Sequence, residues 1–342
     1  MTQLRIALIG AGRAGRLHAR NVASSISDAR LTAVVDTEAT AAAALAHELG
    51  APAHGSLEDV LDECDAVVIT TPTFTHADYA VQAAKAGKHV FCEKPLALNL
   101  HDCDRMIEAA RSAGVVLQVG FVRRFQPEFV EARRRIEAGG IGEPMVVKSL
   151  TRGPGLPPPW AWDIELSNGM LAEVNSHDFD CVRWLVGSDI HRVYAETSNV
   201  KGAARGVQVD GFYDNAVVAL RFKSGAIGTI DGTCPADYGY DARVEILGSE
   251  GLLVIGDLRS QTLIEVRDRD HGAVTPVFRS WPERFESAYR AEIRAFVAAA
   301  LGGKKPVVGG EDGRAVVHAV IAANRSWREE RPVLLSEVQG ID

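Results

Sequence analysis

Glu173, His177 and Asp180 stand at i, i+4 and i+7, a spacing that would set a carboxylate, an imidazole and a second carboxylate on one face of a helix. An unperturbed imidazole titrates at about pH 6.5, so it can take a proton from a hydroxyl and return it near neutrality. Lys94 stands at an expected strand end before Pro95, whose ring stiffens the backbone. A fixed positive charge there can steady an oxygen that is gaining negative charge. The third constellation is Gly10-Ala11-Gly12-Arg13-Ala14-Gly15, directly after an apolar run and at the start of a helix-like stretch. There the first glycine permits a tight turn, the second lets backbone amides approach a pyrophosphate, and the third lets helix and strand pack closely.

Each group needs an element to hold it. Up to about residue 120 the chain alternates β-branched runs with Ala-rich stretches, the rhythm of βαβ units. Strands are expected near Leu4 to Ile9, Leu31 to Val35, Ala66 to Thr70, His89 to Cys92 and Val115 to Val119, with helices from Gly12, Glu38, Phe74 and Leu98. Such strands form a parallel sheet covered on both faces. A helix from Gln126 to Ala138, a strand from Met145 to Leu150 and a proline-stiffened loop from Gly153 to Trp162 follow. One helix is then expected over Gly169 to Val186. Six strands come next, Arg192 to Thr197, Asn215 to Phe222, Ala226 to Thr233, Arg243 to Leu247, Leu252 to Ile255 and Thr262 to Arg267. Two helices near Phe285 to Ala300 and Asp312 to Arg328 close the chain. The fold class is α/β, a Rossmann domain over 1–121 and an α+β domain over 122–342 with an open, largely antiparallel sheet.

The 342 residues are 46% hydrophobic, enough for two sizeable cores. With 37 basic against 45 acidic side chains the net charge is -8, and no basic block exists. That argues against nucleic acid and against an anionic membrane surface as partner, and for a small neutral or polar ligand. Five cysteines without a close pair signal neither a disulfide framework nor a zinc site, so no metal is expected. No cationic leader precedes Leu4 and no apolar run reaches about 18 residues, so the expected location is the cytoplasm.

Asp36 follows Gly15 by about 20 residues at the end of the second strand, where its carboxylate can accept from the adenosine ribose hydroxyls. The next residues, Thr37 and Glu38, supply no cation for a 2'-phosphate, which favours NAD over NADP. Arg13 either stacks near the adenine or reaches a phosphate, or is a solvated first-turn arginine. The turn Thr71-Pro72-Thr73-Phe74-Thr75-His76 ends a strand where parallel sheets bind ligands, so Thr71, Pro72 and His76 join the cofactor list, His76 with a plain helix-surface role as the alternative.

Gly87-Lys88-His89-Val90-Phe91-Cys92-Glu93-Lys94-Pro95, with the glycine turn, Gly120-Phe121-Val122-Arg123-Arg124-Phe125, the Gly169 to Trp184 segment, Tyr238-Gly239-Tyr240-Asp241 and Arg284-Phe285-Glu286-Ser287-Ala288-Tyr289, resembles the Gfo/Idh/MocA oxidoreductases over essentially the whole chain. Within that family the inositol 2-dehydrogenase branch is the most similar. The resemblance implies a nicotinamide-dependent dehydrogenase of a secondary hydroxyl on a cyclic polyol or sugar, assembled as a homodimer or homotetramer through the C-terminal sheet. It implies that Lys94 and His177 are catalytic, His177 as the proton acceptor, and that Glu93, Lys94 and Gln118 lie at the cofactor. Glu173 stands where the family pattern has aspartate; it joins the catalytic and substrate-binding sets, and its longer side chain bears on which ring fits. Arg124, Arg152, Trp162, His177 and Tyr289 complete the expected substrate contacts and Trp160 and Arg123 are further candidates, with core or interface packing the alternative for each tryptophan and a solvated or salt-bridged role the alternative for each arginine. An aldose C1 or glycoside C3 dehydrogenase is the rival within the family. A non-catalytic NAD-dependent sensor is the rival outside it, disfavoured because a binding module has no need of both Lys94 and His177.

Overall fold

The computed structural model describes residues 3–257, 259–260, 266–268, 272–274 and 276–339. Two compact units result, one of residues 1–125, 287–317 and 339–342 and the other of residues 126–286 and 318–338.

In the first unit six strands form one parallel sheet: β1 (Leu4–Ile9), β2 (Ala29–Val35), β3 (Ala53–His54), β4 (Ala66–Ile69), β5 (His89–Glu93) and β6 (Leu117–Gly120). The order β3-β2-β1-β4-β5-β6 reverses direction beside β1, a topological switch point where such sheets bind ligands past the strands' carboxyl ends. Strands β1 and β4 are almost wholly buried because helices cover both faces, which is why they read as continuous apolar runs. Ile6, Leu8, Val34, Val68 and Phe91 share a core with Ile293, Phe296, Val297 and Ala300. Those four lie at i, i+3, i+4 and i+7 on the helix Glu286–Gly302, one apolar stripe laid on the sheet. This helix, expected in the C-terminal domain, therefore belongs from Ser287 onward to the first unit.

The second unit is built on a seven-stranded mixed sheet. Its strands are β7 (Pro144–Arg152), β8 (Ile190–Ser198), β9 (Asn215–Phe222), β10 (Ile227–Thr233), β11 (Asp241–Gly248), β12 (Leu252–Ile255) and, after the short hairpin β13 (Val266–Asp268) and β14 (Gly272–Val274), β15 (Val333–Leu334). The order is β12-β11-β7-β10-β9-β8-β15, with β7 and β10 parallel and every other pair antiparallel. Of the expected strand Thr262 to Arg267, residues 262–265 lie outside the described residues.

One face of this sheet is covered by the helix Ser176–Val186, and among the described residues the other is open. Alternation along the strands puts Val217, Ile227, Leu247, Leu252 and Val254 on the open face, all exposed. All five cysteines are buried and unbridged, and burial pushes the Cys92 thiol well up and the Cys103 thiol up to about 12. Among the described residues no helix is long and apolar enough to cross a membrane.

Candidate active site

The glycine turn has the shape its sequence anticipates. Gly10 sits at φ +99°, and a Cβ there would lie 2.9 Å from the Thr70 carbonyl carbon and the Thr71 nitrogen. At Gly15 the helix Arg13–Ser25 comes so close to β1 that a Cβ would stand 1.9 Å from the Gly10 oxygen. Gly12 is different: its Cβ would meet nothing within 4 Å, so the helix start is left bare for close backbone approach. Arg13 is exposed and Ala14 half-buried on the first helical turn.

Asp36, at the end of β2, accepts from the Ala11 amide (2.7 Å) through one carboxylate oxygen and from the Glu38 amide (2.9 Å) through the other. Two oxygens offer about four lone-pair positions, so the carboxylate keeps capacity for ribose hydroxyls. The residues present thus fit a dinucleotide: a glycine cradle that a side chain would fill, a helix N-terminus and an anchored acceptor on the neighbouring strand.

Two further turns close the carboxyl edge of the sheet. The Thr75 hydroxyl donates to the Pro72 carbonyl (2.8 Å) and lies in hydrogen-bond contact with the Thr71 hydroxyl (2.7 Å), fixing the turn after β4. His76 ties it to the next turn, since Nε2 lies 2.8 Å from the Thr71 carbonyl and Nδ1 2.9 Å from the Pro95 carbonyl. The expectation that His76 binds the cofactor is corrected accordingly: the ring is buried with both nitrogens facing backbone carbonyls, and burial lowers its pKa, so the neutral ring donates to one of the two.

The Lys94–Pro95 bond is cis, and Lys94 is half-buried. Glu93, the last residue of β5, holds this turn from below: its Oε2 accepts from the Lys94 amide (3.0 Å) and its Oε1 faces His18 Nε2 (2.7 Å). Burial works to raise the Glu93 carboxyl, but the His18 hydrogen bond and charge and the Lys94 charge outweigh it and hold the group ionised below its ordinary value.

Three predicted contacts move into the scaffold of the first unit. Gln118 is fully buried and donates from Nε2 to the Glu292 carbonyl (2.9 Å), so it joins β6 to a helix instead of reaching the sheet edge. Arg124 is buried with its guanidinium 3.0 Å from the Asp312 carboxylate, an ion pair inside the unit where a substrate contact was expected. Tyr289 is buried edge-on to His18, with ring centroids 5.6 Å apart, a packing role where a sugar-facing ring was expected.

In the second unit the expected single helix is broken. It runs Gly169–Glu173, turns through Val174 (φ -112°, ψ -54°) and Asn175 (φ -87°, ψ -1°), and restarts as Ser176–Val186. Glu173 therefore ends one helix while His177 and Asp180, i and i+3, sit in the first turns of the next, and the i, i+4 helical relation predicted for Glu173 and His177 does not hold. Glu173 and His177 are half-buried and Asp180 is buried.

The restart is locked from beneath. Asp178, fully buried, accepts from the Ser149 (2.6 Å) and Thr151 (2.7 Å) hydroxyls of β7 and from the Asn175 amide (2.8 Å). Gly232 makes room for this, since a Cβ there would lie 2.1 Å from Asn175 Oδ1. His177, next to Asp178 in sequence, inherits a fixed position from these bonds.

Strand alternation corrects Arg152. Ser149 and Thr151 face the helix carrying His177, so Arg152 points to the opposite, open face, where it pairs with Asp231. Trp162 is half-buried, with its indole N–H given to the Pro157 carbonyl (2.8 Å) and its ring edge-on to Phe212 at 6.4 Å.

Sequence reasoning missed His18 and Glu292. His18 stands one helical turn past Gly15, and Glu292 sits inside the apolar stripe of the Glu286–Gly302 helix. A charged residue amid an apolar helical stripe was the signal available for Glu292.

Comparison with known proteins accords with this arrangement. Residues 4–121 match the model of an oxidoreductase family with an NAD-binding Rossmann fold, and residues 129–254 match the GFO/IDH/MocA C-terminal domain. The chain is 39% identical to the myo-inositol 2-dehydrogenase of Thermotoga maritima, over 98% of this chain and 100% of that one. It is 37% identical to the scyllo-inositol 2-dehydrogenase (NAD(+)) of Bacillus subtilis, over 97% and 96% respectively. Among solved structures it superposes on the scyllo-inositol dehydrogenase of Lactobacillus casei with bound NAD(H) and scyllo-inositol at TM-score 0.89 and 25% identity, covering 98% of this chain and 100% of that one. Two domain matches in sequence order, and relatives aligned nearly end to end, place the chain in the GFO/IDH/MocA family of NAD-binding oxidoreductases.

Proposed function

We propose that this protein moves a hydride between NAD and a ring carbinol of an inositol or a closely similar cyclic polyol. The observation that carries the reading is the Glu93-Lys94-Pro95 turn, tied by Glu93 and His76 to the same sheet edge that carries the glycine cradle. An ammonium carried on a turn so firmly held beside a dinucleotide site suits an oxygen whose charge changes during the reaction. The named activities of the relatives at 39% and 37% identity select inositols within the class of ring alcohols.

Bound NAD supplies the hydride acceptor. Asp36, Gly10, Gly12, Arg13, Ala14, Gly15, Thr71 and Pro72 bind and orient it. The Lys94 ammonium donates to the carbinol oxygen, His177 accepts the hydroxyl proton, and Glu173 orients the ring through a neighbouring hydroxyl. Trp162 offers an aromatic face near the start of that helical segment. Residues 4–121 are the dinucleotide-binding part, and the chain from 122 carries the polyol-binding residues.

The test is NADH formation at neutral pH with myo-inositol, scyllo-inositol, glucose and glucosides, each with NAD and NADP. Turnover of an inositol, faster with NAD because Asp36 repels a 2'-phosphate, is the expected result. Turnover of an aldose or glucoside alone would overturn the inositol assignment, and NADH binding without turnover of any of them would favour a sensor.

The open face of the second unit's sheet carries the partner reading: a second copy of this chain, seated on Val217, Ile227, Leu247, Leu252 and Val254. Light scattering is expected to give a dimer or tetramer of the 36.7 kDa chain, and Val254→Asp to shift it toward the monomer. A monomeric wild type would overturn this.

A further inference from the structure

Beneath the Lys94 turn lies a buried group that the reaction as described does not use. His18, Glu93 and Glu292 each bring one ligating atom within 4.8 Å of the others, and His18 and Glu292 are wholly buried. Glu292 is anomalous, because neither of its carboxylate oxygens has a hydrogen-bond partner among the described residues. An ionised carboxylate so placed is strongly disfavoured.

A metal ion is one way to satisfy such a cluster, but the distances speak against it. Ligands about 2.1 Å from a tetrahedral ion stand about 3.4 Å apart. His18 Nε2 and Glu93 Oε1 are 2.7 Å apart, a hydrogen bond, and the other Glu93 oxygen is already taken by the Lys94 amide. Two carboxyls this close divide their states: one ionises and the other keeps its proton. Glu93 has the imidazole, the Lys94 charge and an amide donor, so it is the ionised member; burial and the Glu93 charge push Glu292 well up.

We propose that Glu292 is a positioning residue for the Lys94 turn: an uncharged carboxyl packed against the His18–Glu93 pair that keeps the Glu93 carboxylate aimed at the Lys94 backbone. The helix that carries it is fastened at that residue, since the Glu292 carbonyl accepts from Gln118 of β6, and one turn earlier Tyr289 packs edge-on to the His18 ring. Removing the carboxyl takes away a group packed against the His18–Glu93 pair, and any shift of Glu93 passes to Lys94 through its amide bond. This inference rests on the reading of Lys94 as catalytic.

Glu292→Leu is expected to lower kcat for inositol oxidation about tenfold to a hundredfold, as a misplacement near 1 Å does. KM for NAD should change less than about twofold, because the glycine cradle and Asp36 are untouched. Glu292→Gln, neutral and of the same shape, should restore kcat to within about threefold of wild type. A Leu variant with wild-type kcat and only a lowered Tm would overturn the proposal, as would a Gln variant as impaired as the Leu variant. Should Glu292→Leu fail to fold, infrared difference spectra of wild type minus Glu292→Gln decide: the carbonyl stretch of a protonated carboxyl is expected in the wild type, and its absence overturns the proposal. One equivalent of metal in the purified protein, lost in Glu292→Gln, would also overturn it. Lys94→Ala run in parallel separates the two readings, since normal turnover there would refute the role of Lys94 whatever Glu292 does.

Discussion

Lys94→Ala is expected to lower kcat for inositol oxidation about a thousandfold while NADH affinity stays within about threefold, the pattern for a group that acts mainly in the transition state. The physical reason is local. The turn is held from two sides, by the Glu93 carboxylate on the Lys94 amide and by His76 on the Pro95 carbonyl, and neither bond involves the ammonium. The variant therefore keeps the turn and loses the charge. Lys94→Arg should recover only part of the rate, since a planar guanidinium is longer and spreads its charge. His177→Ala should cost about 10²- to 10⁴-fold in kcat, the usual range for a positioned proton acceptor. Asp178, which anchors the helix restart, is unaltered in that variant, so the loss belongs to the imidazole. Steady-state rates and NADH fluorescence titration check both, and retained turnover in the two variants would sink the mechanism.

Gly15→Ala is the second large effect. The added carbon would stand 1.9 Å from the Gly10 carbonyl oxygen and 2.7 Å from the Thr70 hydroxyl, which itself donates to that oxygen at 2.7 Å. Nothing there is the free end of a flexible side chain, so the helix Arg13–Ser25 has to move off β1. The cost is about 3 kcal/mol, as for overpacking in a tight core. It should appear as a lowered Tm and as NADH affinity reduced about a hundredfold, 1.4 kcal/mol being about tenfold. Gly12→Ala is the control. Its Cβ meets no protein atom within 4 Å, so Tm should hold while NADH affinity falls about tenfold, because the lost space is the cofactor's own. Equal Tm for wild type and Gly15→Ala would refute the close-approach account.

Much of this is legible in the sequence. Burial on both faces makes parallel strands continuous apolar runs, so β1, β2, β4, β5 and β6 stood out, and turn chemistry identified the glycine cradle and Asp36. Two residues of β3, a strand too short to show a period, did not stand out. Period also misled at Glu173 and His177: a uniform 3.6-residue count runs through Val174 and Asn175, whereas the buried Asn175–Asp178 bond and the space left by Gly232 break the helix there.

Residue type alone fixed which groups could do chemistry, since an imidazole, an ammonium and a glycine turn carry that in their structure. Which of the candidates became scaffold was decided by partners distant in sequence. His76 was taken by two backbone carbonyls, Arg124 by Asp312 and Gln118 by the helix that returns to the first sheet, while Arg152 fell on the open face by strand parity. The Glu286–Gly302 helix shows the limit most plainly. Its apolar stripe declares that it must be buried, but a stripe does not name its partner surface, and only the packing of Phe296 on Phe91 put Glu292 beneath the Lys94 turn.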